Sequence, residues 1–225
     1  MDIDRIKGQF NTFAKEYDEK RRCIIPCFDD FYKRSVSLLK FNKYNFKNVV
    51  DLGAGTGLLT KEIYELYNDA HYTLIDISED MLNIAKQRFS GLNNFEFIEY
   101  NYAENIPIRK CDFICSALSI HHLENNAKEK LFKNIYKTLD DNGCFLNLDI
   151  FITGSKKIDN LYNDWWYNYI VENTKAEDRK GFNESRELDK ENTIEESLKL
   201  LRLCGFKDVE CIYNFMKFGV ILAMK

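Results

Sequence analysis

From residue 48 to residue 150, short apolar runs alternate with stretches in which apolar side chains recur every three or four positions. The runs predict strands at residues 48–51, 72–75, 95–99, 112–115 and 144–150, and the periodic stretches predict helices at 58–66, 79–89 and 127–139. Strands that alternate with helices at this pace pair in parallel through right-handed crossovers. This part of the chain therefore predicts a parallel sheet with helices on both faces.

The last part of the chain follows a different pattern. Thr193 and Glu196 predict a capping box at the start of a helix, and Gly205 predicts its end. Apolar runs follow at 206–213 and 217–224, with too few residues between them for a crossover helix, so they must pair as an antiparallel hairpin. We therefore predict an α/β fold whose Rossmann-like, seven-stranded, mostly parallel sheet ends in an antiparallel hairpin.

Two helices precede this sheet, and one long segment interrupts it. Apolar residues at 6, 10, 13, 14 and 17 have helical spacing, and Pro26 predicts the start of a second helix that runs to about Leu39. About forty residues between Ile150 and Thr193 break the alternation of strands and helices. We predict a single domain with N-terminal helices at 1–42, a cofactor-binding core at 43–150, a helical lid insertion at 151–192, and a C-terminal helix and hairpin at 193–225.

Composition and charge narrow the class of protein. The chain has 225 residues, of which 45% are hydrophobic and 30% are charged, and this suits one globular domain. Its net charge is −4 and its lysines are interspersed with acids, so no basic face is expected that would bind a phosphate backbone. The expected partner is a small-molecule substrate rather than nucleic acid.

The cysteines and the hydrophobic runs indicate the compartment. Seven cysteines are scattered without a paired framework, and neither a signal segment nor an apolar run of membrane-spanning length is present. We expect a cytoplasmic protein with reduced thiols and no membrane partner, either a monomer or a homodimer. Cys23 and Cys27 lack two further ligands at metal spacing, so no metal is expected.

Three alternating glycines, Gly53, Gly55 and Gly57, join the first predicted strand of the sheet to the helix that follows. Glycine lets the backbone approach a ligand closely, and loops at the carboxyl ends of strands bind ligands in open α/β sheets. Asp76 ends the next strand, where a carboxylate can accept hydrogen bonds from ribose hydroxyls. The sequence therefore predicts a site for a nucleoside cofactor.

The glycine spacing distinguishes between two such cofactors. The dinucleotide fingerprint Gly-x-Gly-x-x-Gly would need its third glycine at Leu58. The glycines instead alternate after Asp51, and this arrangement resembles motif I of the class I S-adenosylmethionine (SAM) methyltransferases. Segments 74–78 (Leu-Ile-Asp-Ile-Ser) and 111–123 (Cys-Asp-Phe-Ile-Cys-Ser-Ala-Leu-Ser-Ile-His-His-Leu) resemble the ribose-binding strand end and the fourth motif of that family. The terminal hairpin resembles the family's sheet as well.

The resemblance implies a set of residues that contact SAM. The methionine and adenosine parts would be approached by Asp51, Gly53, Ala54, Gly55 and Gly57. Asp76 would hold the ribose, Ile77 would lie against the adenine, and the backbones of Ser116 and Ala117 would contact the methionine amino group.

Two further contacts are less fixed by the resemblance. Many relatives carry Gly-Asp, followed by a residue whose backbone contacts the adenine, where this chain has Asn101 and Tyr102. The side-chain oxygen of Asn101 can still accept a hydrogen bond from the adenine amine. Glu104 is an alternative acceptor. In the N-terminal helices Tyr17, Arg21 and Arg22 could reach the methionine carboxylate. The charged run 19–22 is also typical of an ordinary solvent-exposed helix face.

Methyl transfer from a sulfonium requires an aligned acceptor without water, and a base is optional. His121 and His122 follow the fourth strand, on the rim towards which the methyl group would point, and one of them could act as that base. Asp149, near the end of the fifth strand, could orient the imidazole. Alternatively, the two histidines cap the following helix and Asp149 binds a loop amide, whereas His71 lies at the opposite end of the sheet and is structural.

The predicted insertion is rich in aromatic residues, including both tryptophans of the chain. Trp165, Trp166 and Tyr169 could cover the site and shape a substrate pocket. They could equally pack a helix onto the sheet, and the two roles are compatible.

These features together predict an enzyme that transfers a methyl group from SAM to oxygen, nitrogen, carbon or sulfur of a small molecule and releases S-adenosyl-L-homocysteine. A tRNA or protein methyltransferase is an alternative that the absence of a basic stripe disfavours. An NAD(P)-dependent oxidoreductase and a non-catalytic SAM-binding module are further alternatives.

Overall fold

The computed structural model describes residues 8, 17–41, 45–176, 179, 186 and 188–225. Its centre is a seven-stranded sheet in the order β3-β2-β1-β4-β5-β7-β6. The strands are β1 (Asn48–Leu52), β2 (His71–Asp76), β3 (Phe95–Glu99), β4 (Cys111–Ala117), β5 (Leu139–Ile150), β6 (Asp208–Phe215) and β7 (Phe218–Met224). Strands β1 to β5 pair in parallel, and β7 pairs antiparallel with β5 and with β6. The predicted sheet and its terminal hairpin are confirmed.

The helices predicted at 58–66, at 79–89 and after Thr193 begin at the predicted residues, whereas the helix predicted at 127–139 begins two residues earlier. The helices are α1 (Tyr17–Ile24), α2 (Leu58–Tyr64), α3 (Glu79–Arg88), α4 (Asn125–Thr138), α5 (Lys156–Asn173) and α6 (Ile194–Leu203). Ser78 caps α3 by accepting from the Met81 amide, and Thr193 and Glu196 form both halves of the capping box of α6. Gly205 follows α6 with φ of +113°, a backbone conformation that glycine tolerates.

Both faces of the central strands are buried. Val49 belongs to the apolar cluster that contains residues of α2, α3 and α5, whereas Val50 belongs to the cluster that contains residues of α4 and α6. Successive side chains of a strand point to opposite faces, so a strand covered on both sides is apolar at nearly every position. This explains why the strands appear in the sequence as continuous apolar runs rather than as alternating ones.

The N-terminal segments match the predictions in part. The predicted helix at residues 6–17 lies outside the described residues except at Gly8 and Tyr17. After Pro26 the chain is helical but irregular, with a π-helix at Asp30–Arg34, an α-turn at Ser35–Ser37 and a 3-10 turn at Leu38–Phe41. The backbone amide and the hydroxyl of Ser35 both donate to the Asp30 carbonyl, five residues earlier, which is the π-type spacing.

The insertion between β5 and α6 contains the long helix α5. Trp166 and Ile170 of α5 are buried, and the Trp166 indole N–H donates to the Ile24 carbonyl at 2.7 Å, which joins α5 to the end of α1. Among the described residues, no helix combines the length and the apolarity that crossing a bilayer requires.

Candidate active site

The three glycines form a loop at the carboxyl end of β1, where the strand order of the sheet reverses between β1 and β4. All three have φ between +54° and +79°, but their surroundings differ. A Cβ on Gly53 would lie 1.9 Å from the Ser119 hydroxyl, and a Cβ on Gly57 would lie 2.6 Å from the Phe89 ring. A Cβ on Gly55 would meet nothing within 4 Å. Gly53 and Gly57 are therefore required for packing, whereas Gly55 faces the crevice.

Asp76 fixes the shape of this loop. Its carboxylate accepts from the Gly55 amide and from the Ser78 amide, each at 2.8 Å, so it joins the loop to the start of α3. The loop is also held by β2, because the amides of Gly53 and Ala54 donate to the Ile75 carbonyl. Burial raises the pKa of Asp76, and the three amides that face it partly oppose this shift. A buried carboxylate in this position can accept hydrogen bonds from a ligand in the crevice.

Asp51 lies beneath the loop and not on the crevice surface. Its side chain is buried and accepts from the Thr60 hydroxyl at 2.6 Å, while its other oxygen has no hydrogen-bond partner among the described residues. Burial raises the pKa of Asp51 to about 7, against the Thr60 hydrogen bond, and the charge of Asp76 adds to the shift. Asp51 does not line the crevice, and its position indicates that it supports the loop from below.

The raised pKa of Asp51 gives a testable pH dependence of stability. The unfolded chain loses this proton near pH 4, whereas the folded chain holds it to about pH 7. The folded state therefore binds more protons in this window, and the free energy of unfolding falls as pH rises, by up to about 1.4 kcal/mol per pH unit. Asp51→Asn removes this dependence, so its stability relative to the wild type should rise by about 2–3 kcal/mol between pH 5 and pH 7.

Urea unfolding of both proteins at the two pH values measures this difference. Asp69→Asn, at an exposed carboxyl, is the matched control. A stability difference between Asp51→Asn and the wild type that is the same at both pH values would contradict a buried, protonated Asp51.

The crevice above the loop is lined by Tyr17, Gly53, Gly55, Asp76, Ile77, Met81, Asn101, Tyr102, Ala117, Leu118, Ser119, His122 and Leu123. Eight of these were predicted as cofactor contacts and His122 as a catalytic residue. Met81, Leu118, Ser119 and Leu123 were not predicted. Their contribution depends on how loops fold back over the strand ends, which no local pattern reports.

Five predicted cofactor contacts lie outside this lining: Asp51, Ala54, Gly57, Ser116 and Arg22. Ser116 is buried and donates its hydroxyl to the Leu52 carbonyl at 2.6 Å, so it ties β4 to β1. Ala54 is buried within the loop. Arg22 is exposed, pairs with Asp29 at 3.1 Å and lies over the Phe28 ring.

Tyr17 reaches the crevice because α1 is anchored to the glycine loop. The Thr56 hydroxyl donates to the Asp18 carboxylate at 2.6 Å, and Arg88 of α3 pairs with the same carboxylate. Arg21, one turn after Tyr17, places its guanidinium 4.5 Å from the centre of the Tyr17 ring, and its Nε is buried without a hydrogen-bond partner in the described part of the chain. Arg21, rather than its neighbour Arg22, is thus the arginine beside the crevice.

At the other end of the crevice, Asn101 is engaged locally. Its side-chain oxygen accepts from the Ala103 amide at 3.1 Å, and its side-chain nitrogen donates to Glu104 at 3.1 Å. Tyr102 is buried, and its hydroxyl shares a hydrogen bond of 2.6 Å with Ser119. This bond connects the loop after β3 with the loop after β4 across the crevice.

The predicted catalytic residues meet in one buried polar cluster. His121 Nδ1 lies 2.5 Å from Asp149 Oδ1, and the His121 backbone amide donates to Oδ2 of the same carboxylate at 3.1 Å. The ring centres of His121 and His122 are 4.1 Å apart. The structure therefore brings all three predicted catalytic side chains together, with His122 on the crevice side.

A fourth member of the cluster, Asp189, was not predicted from the sequence. Its Oδ1 lies 3.4 Å from His121 Nε2 and 3.2 Å from His122 Nδ1, and its Oδ2 lies 2.7 Å from Arg186. Asp189 is 67 residues from His122 in the chain, in the irregular end of the insertion. A lone aspartate in a polar stretch gives no local signal of such a role.

Further buried ion pairs hold the insertion against the sheet beside this cluster. Lys217, in the turn between β6 and β7, is 1% exposed and pairs with Glu191 at 2.8 Å and with Asp159 at 3.5 Å. Arg186 pairs with Glu191 as well as with Asp189. These pairs fix the position of Asp189 beside the histidines.

The two imidazoles differ in their electrostatics. Burial by itself lowers the pKa of His121. The negative charges of Asp149 and Asp189 raise the pKa by more than burial lowers it, so the pKa of His121 lies above its ordinary value. Burial lowers the pKa of His122 to about 4, and the charge of His121 lowers it further, against the nearby Asp189. Burial raises the pKa of Asp189, but His122, His121 and Arg186 bring it below its ordinary value.

The aromatic residues predicted to shape a substrate pocket lie elsewhere. Trp165 is partly exposed and packs on Tyr169 and Phe215, with ring centres 6.0 Å and 5.7 Å away. Trp166 is buried against Phe218. None of Trp165, Trp166 and Tyr169 lines the crevice, because α5 directs one of its faces outward and the other into the core.

Comparison with known proteins identifies relatives of this chain. A family model described as a methyltransferase domain matches residues 49–143. The carboxy-S-adenosyl-L-methionine synthase of Nautilia profundicola is 27% identical over 231 residues, which cover 93% of this chain and 94% of that protein. The ubiquinone/menaquinone biosynthesis C-methyltransferase UbiE of Blochmanniella floridana is 30% identical over 212 residues, which cover 91% of this chain and 83% of that protein.

Solved structures share the fold. Human N-acetylserotonin methyltransferase in complex with SAM has a TM-score of 0.66 and 25% identity, over 99% of this chain and 57% of that chain. This chain thus spans little more than half the length of the human enzyme. A SAM-dependent methyltransferase from Aquifex aeolicus has a TM-score of 0.61 and 17% identity, over 92% of this chain and 97% of that chain.

Proposed function

Because this chain belongs to the class I SAM-dependent methyltransferases and its cofactor is SAM, we propose that it transfers the methyl group of SAM to a small-molecule acceptor bound beside His122. The observation that carries this proposal is the crevice itself. The glycine loop, whose Gly55 amide donates to Asp76, lies at the centre of the crevice, and the buried side chain of His122 forms part of its wall.

The residues that line the crevice favour one orientation of bound SAM along it. Asp76 would accept from the ribose hydroxyls, and the adenine would lie between Ile77, Met81 and the loop at Asn101 and Tyr102. The methionine part would then extend past Gly53 and Gly55 towards Ala117 and Tyr17. Arg21, whose guanidinium lies behind the Tyr17 ring, is the cation placed to meet the methionine carboxylate.

In this orientation the sulfonium methyl group would lie on the side of the crevice formed by Ser119 and His122. Among the described residues that line the crevice, His122 is the one histidine. We propose that His122 orients and activates the acceptor, and that His121 and Asp149 position His122 from behind. The attack is an in-line displacement in which the acceptor bonds to the methyl carbon as the carbon–sulfur bond breaks and S-adenosyl-L-homocysteine leaves.

The proposed acceptor is a small molecule rather than nucleic acid, and the proposed compartment is the reducing cytoplasm. The net charge of −4 with interspersed lysines supports the first, since binding a phosphate backbone requires a basic surface. The seven cysteines, an odd number without a paired framework, support the second.

A second candidate function is the synthesis of a carboxylated SAM. The similarity to the carboxy-S-adenosyl-L-methionine synthase over nearly the whole of both chains favours it. The two functions differ in the nucleoside product, which is S-adenosyl-L-homocysteine for methyl transfer and a heavier, carboxylated sulfonium for the second candidate.

We expect isothermal titration calorimetry to show one SAM bound per chain. Incubation with methyl-labelled SAM and a protein-free extract of small metabolites should then yield a labelled small molecule together with S-adenosyl-L-homocysteine. Mass spectrometry of the nucleoside fraction separates the two candidates. Absence of SAM binding by the folded protein would contradict the proposal, and label recovered in RNA or protein from a complete lysate would change the acceptor class.

A further inference from the structure

Three side-chain atoms converge on one point at the edge of the crevice. His121 Nε2, His122 Nδ1 and Asp189 Oδ1 all lie within 4.8 Å of one another. We propose that these three residues bind a divalent first-row transition-metal ion, with zinc as the best fit. Two imidazoles and one carboxylate form a ligand set that suits catalytic zinc.

Two of the separations within this group match the distance between two ligand atoms of one tetrahedral ion. Asp189 Oδ1 lies 3.4 Å from His121 Nε2 and 3.2 Å from His122 Nδ1. Hydrogen bonds between nitrogen and oxygen are usually about 2.9–3.0 Å long. Ligand atoms bound at about 2.0–2.1 Å to one tetrahedral ion are about 3.3 Å apart. The two separations from Asp189 Oδ1 are those of the edges of a tetrahedral site, and the third, between the two imidazole nitrogens, is at most 4.8 Å.

The atoms that would not bind the ion are held by other groups. His121 Nδ1 is paired with Asp149, which leaves Nε2 directed at the site. Asp149 also accepts from the Ile150 amide at 3.0 Å, so the carboxylate itself is fixed. Asp189 Oδ2 is paired with Arg186, which leaves Oδ1 directed at the site. Outer-sphere carboxylates that orient histidine ligands in this way are typical of protein metal sites.

The three ligand side chains are shielded from bulk solvent. The side chains of His121 and Asp189 are each 7% exposed, and that of His122 is 10% exposed. The carboxylates of Asp149 and Asp189 supply two negative charges beside two imidazoles that must be neutral to bind a metal. The sequence predicted no metal, because only the cysteine spacing suggested one and Asp189 is far from the histidines in the chain.

Three protein ligands would leave a fourth position, and because His122 lines the crevice we place this position on the crevice side, where an acceptor would bind. An acceptor hydroxyl or enol bound there would release its proton to solvent water more easily, because the ion stabilises the oxyanion. The oxygen then attacks the methyl carbon, an oxygen–carbon bond forms, and the carbon–sulfur bond breaks with its electron pair left on sulfur. This role rests on the proposed function, whereas metal binding itself does not.

Metal binding can be measured without an acceptor. The chain, freed of any affinity tag and treated with a chelator, is titrated with Zn²⁺ by calorimetry and with Co²⁺ by visible absorption. We expect one ion per chain with a dissociation constant in the micromolar range or tighter, and Co²⁺ bands of a four- or five-coordinate site. Asp189→Asn should weaken binding at least 100-fold, and Asp149→Asn, outside the ligand set, about 10–100-fold.

His71→Asn is the matched control, since His71 is a half-exposed histidine at the opposite end of the sheet. It should bind zinc as the wild type does. Far-ultraviolet circular dichroism of each variant verifies that it is folded, and the Co²⁺ spectrum of the wild type stands even if a variant fails to fold. The proposal is overturned if the wild type binds neither ion, or if folded Asp189→Asn binds them as tightly as the wild type. The role of the ion in methyl transfer, but not metal binding itself, is overturned if chelator-treated protein, with no metal detectable by mass spectrometry, transfers methyl groups at the full rate.

The failure of this inference and of the proposed function can be told apart by titration with SAM. Zinc binding without SAM binding would leave the metal site in place and remove the methyltransferase proposal. SAM binding and methyl transfer without zinc binding would do the reverse.

Discussion

Replacing His122 by alanine is expected to lower the turnover number of methyl transfer by about 10²–10⁴-fold, while the affinity for SAM changes by less than about threefold. The two effects separate because the proposed function places His122 beside the acceptor, whereas the contacts expected to hold SAM come from the glycine loop, Asp76 and α1. The loss of turnover applies whether the imidazole contacts the acceptor directly or through a bound ion.

Calorimetry with SAM and a methyl-transfer assay with the identified acceptor measure the two quantities for the same protein sample. His71→Ala is the control for loss of a histidine, since His71 starts β2 at the far end of the sheet. Unchanged turnover in His122→Ala would exclude His122 from the chemistry. An equal loss of SAM affinity and of turnover would instead make His122 part of the cofactor site.

The sheet could be predicted from the sequence because its signals are local. The apolar runs, the capping box at Thr193 and the short connection before β7 each depend on neighbouring residues, and the structure confirms them. The irregular parts could not be predicted in this way. Strand β5 begins at Leu139, five residues before the predicted start, and passes through Asn142, whose φ of +65° no strand pattern indicates.

At the crevice, the sequence identified the loops but not the direction of each side chain. Arg21 and Arg22 are adjacent on α1 and therefore point about 100° apart. Which of them faces the crevice depends on how α1 is fixed, and this is decided by Asp18, which binds Thr56 and Arg88 far along the chain. Trp165 and Trp166 present the same problem on α5.

The glycines show how one motif serves two purposes. Gly53 and Gly57 leave no room for a Cβ because side chains of this chain, those of Ser119 and Phe89, occupy the space. Of these three glycines, only Gly55 has space around its Cα into which a Cβ could be built without meeting a described atom within 4 Å. The sequence predicts all three as ligand contacts, because alternating glycines look alike until the neighbouring loops are placed.

The position of Gly55 allows a sharp test of the crevice. Gly55→Trp should raise the dissociation constant for SAM at least 100-fold, because the indole would occupy the space beside Asp76 where the cofactor is expected to lie. Gly91→Trp is the matched control. Gly91 also has a positive φ, +86°, and a Cβ there likewise meets nothing within 4 Å, but it lies in the turn after α3 and does not line the crevice.

Both substitutions place a bulky side chain on a left-handed backbone, so each should lower the free energy of unfolding by a similar amount, about 1–3 kcal/mol. Thermal unfolding measures this shared cost, and calorimetry with SAM measures the effect that they do not share. Gly91→Trp should bind SAM within about twofold of the wild type. If Gly55→Trp also binds SAM with the affinity of the wild type, then the cofactor does not occupy the space above the loop, and the roles inferred for Asp76, Tyr17 and His122 fail together.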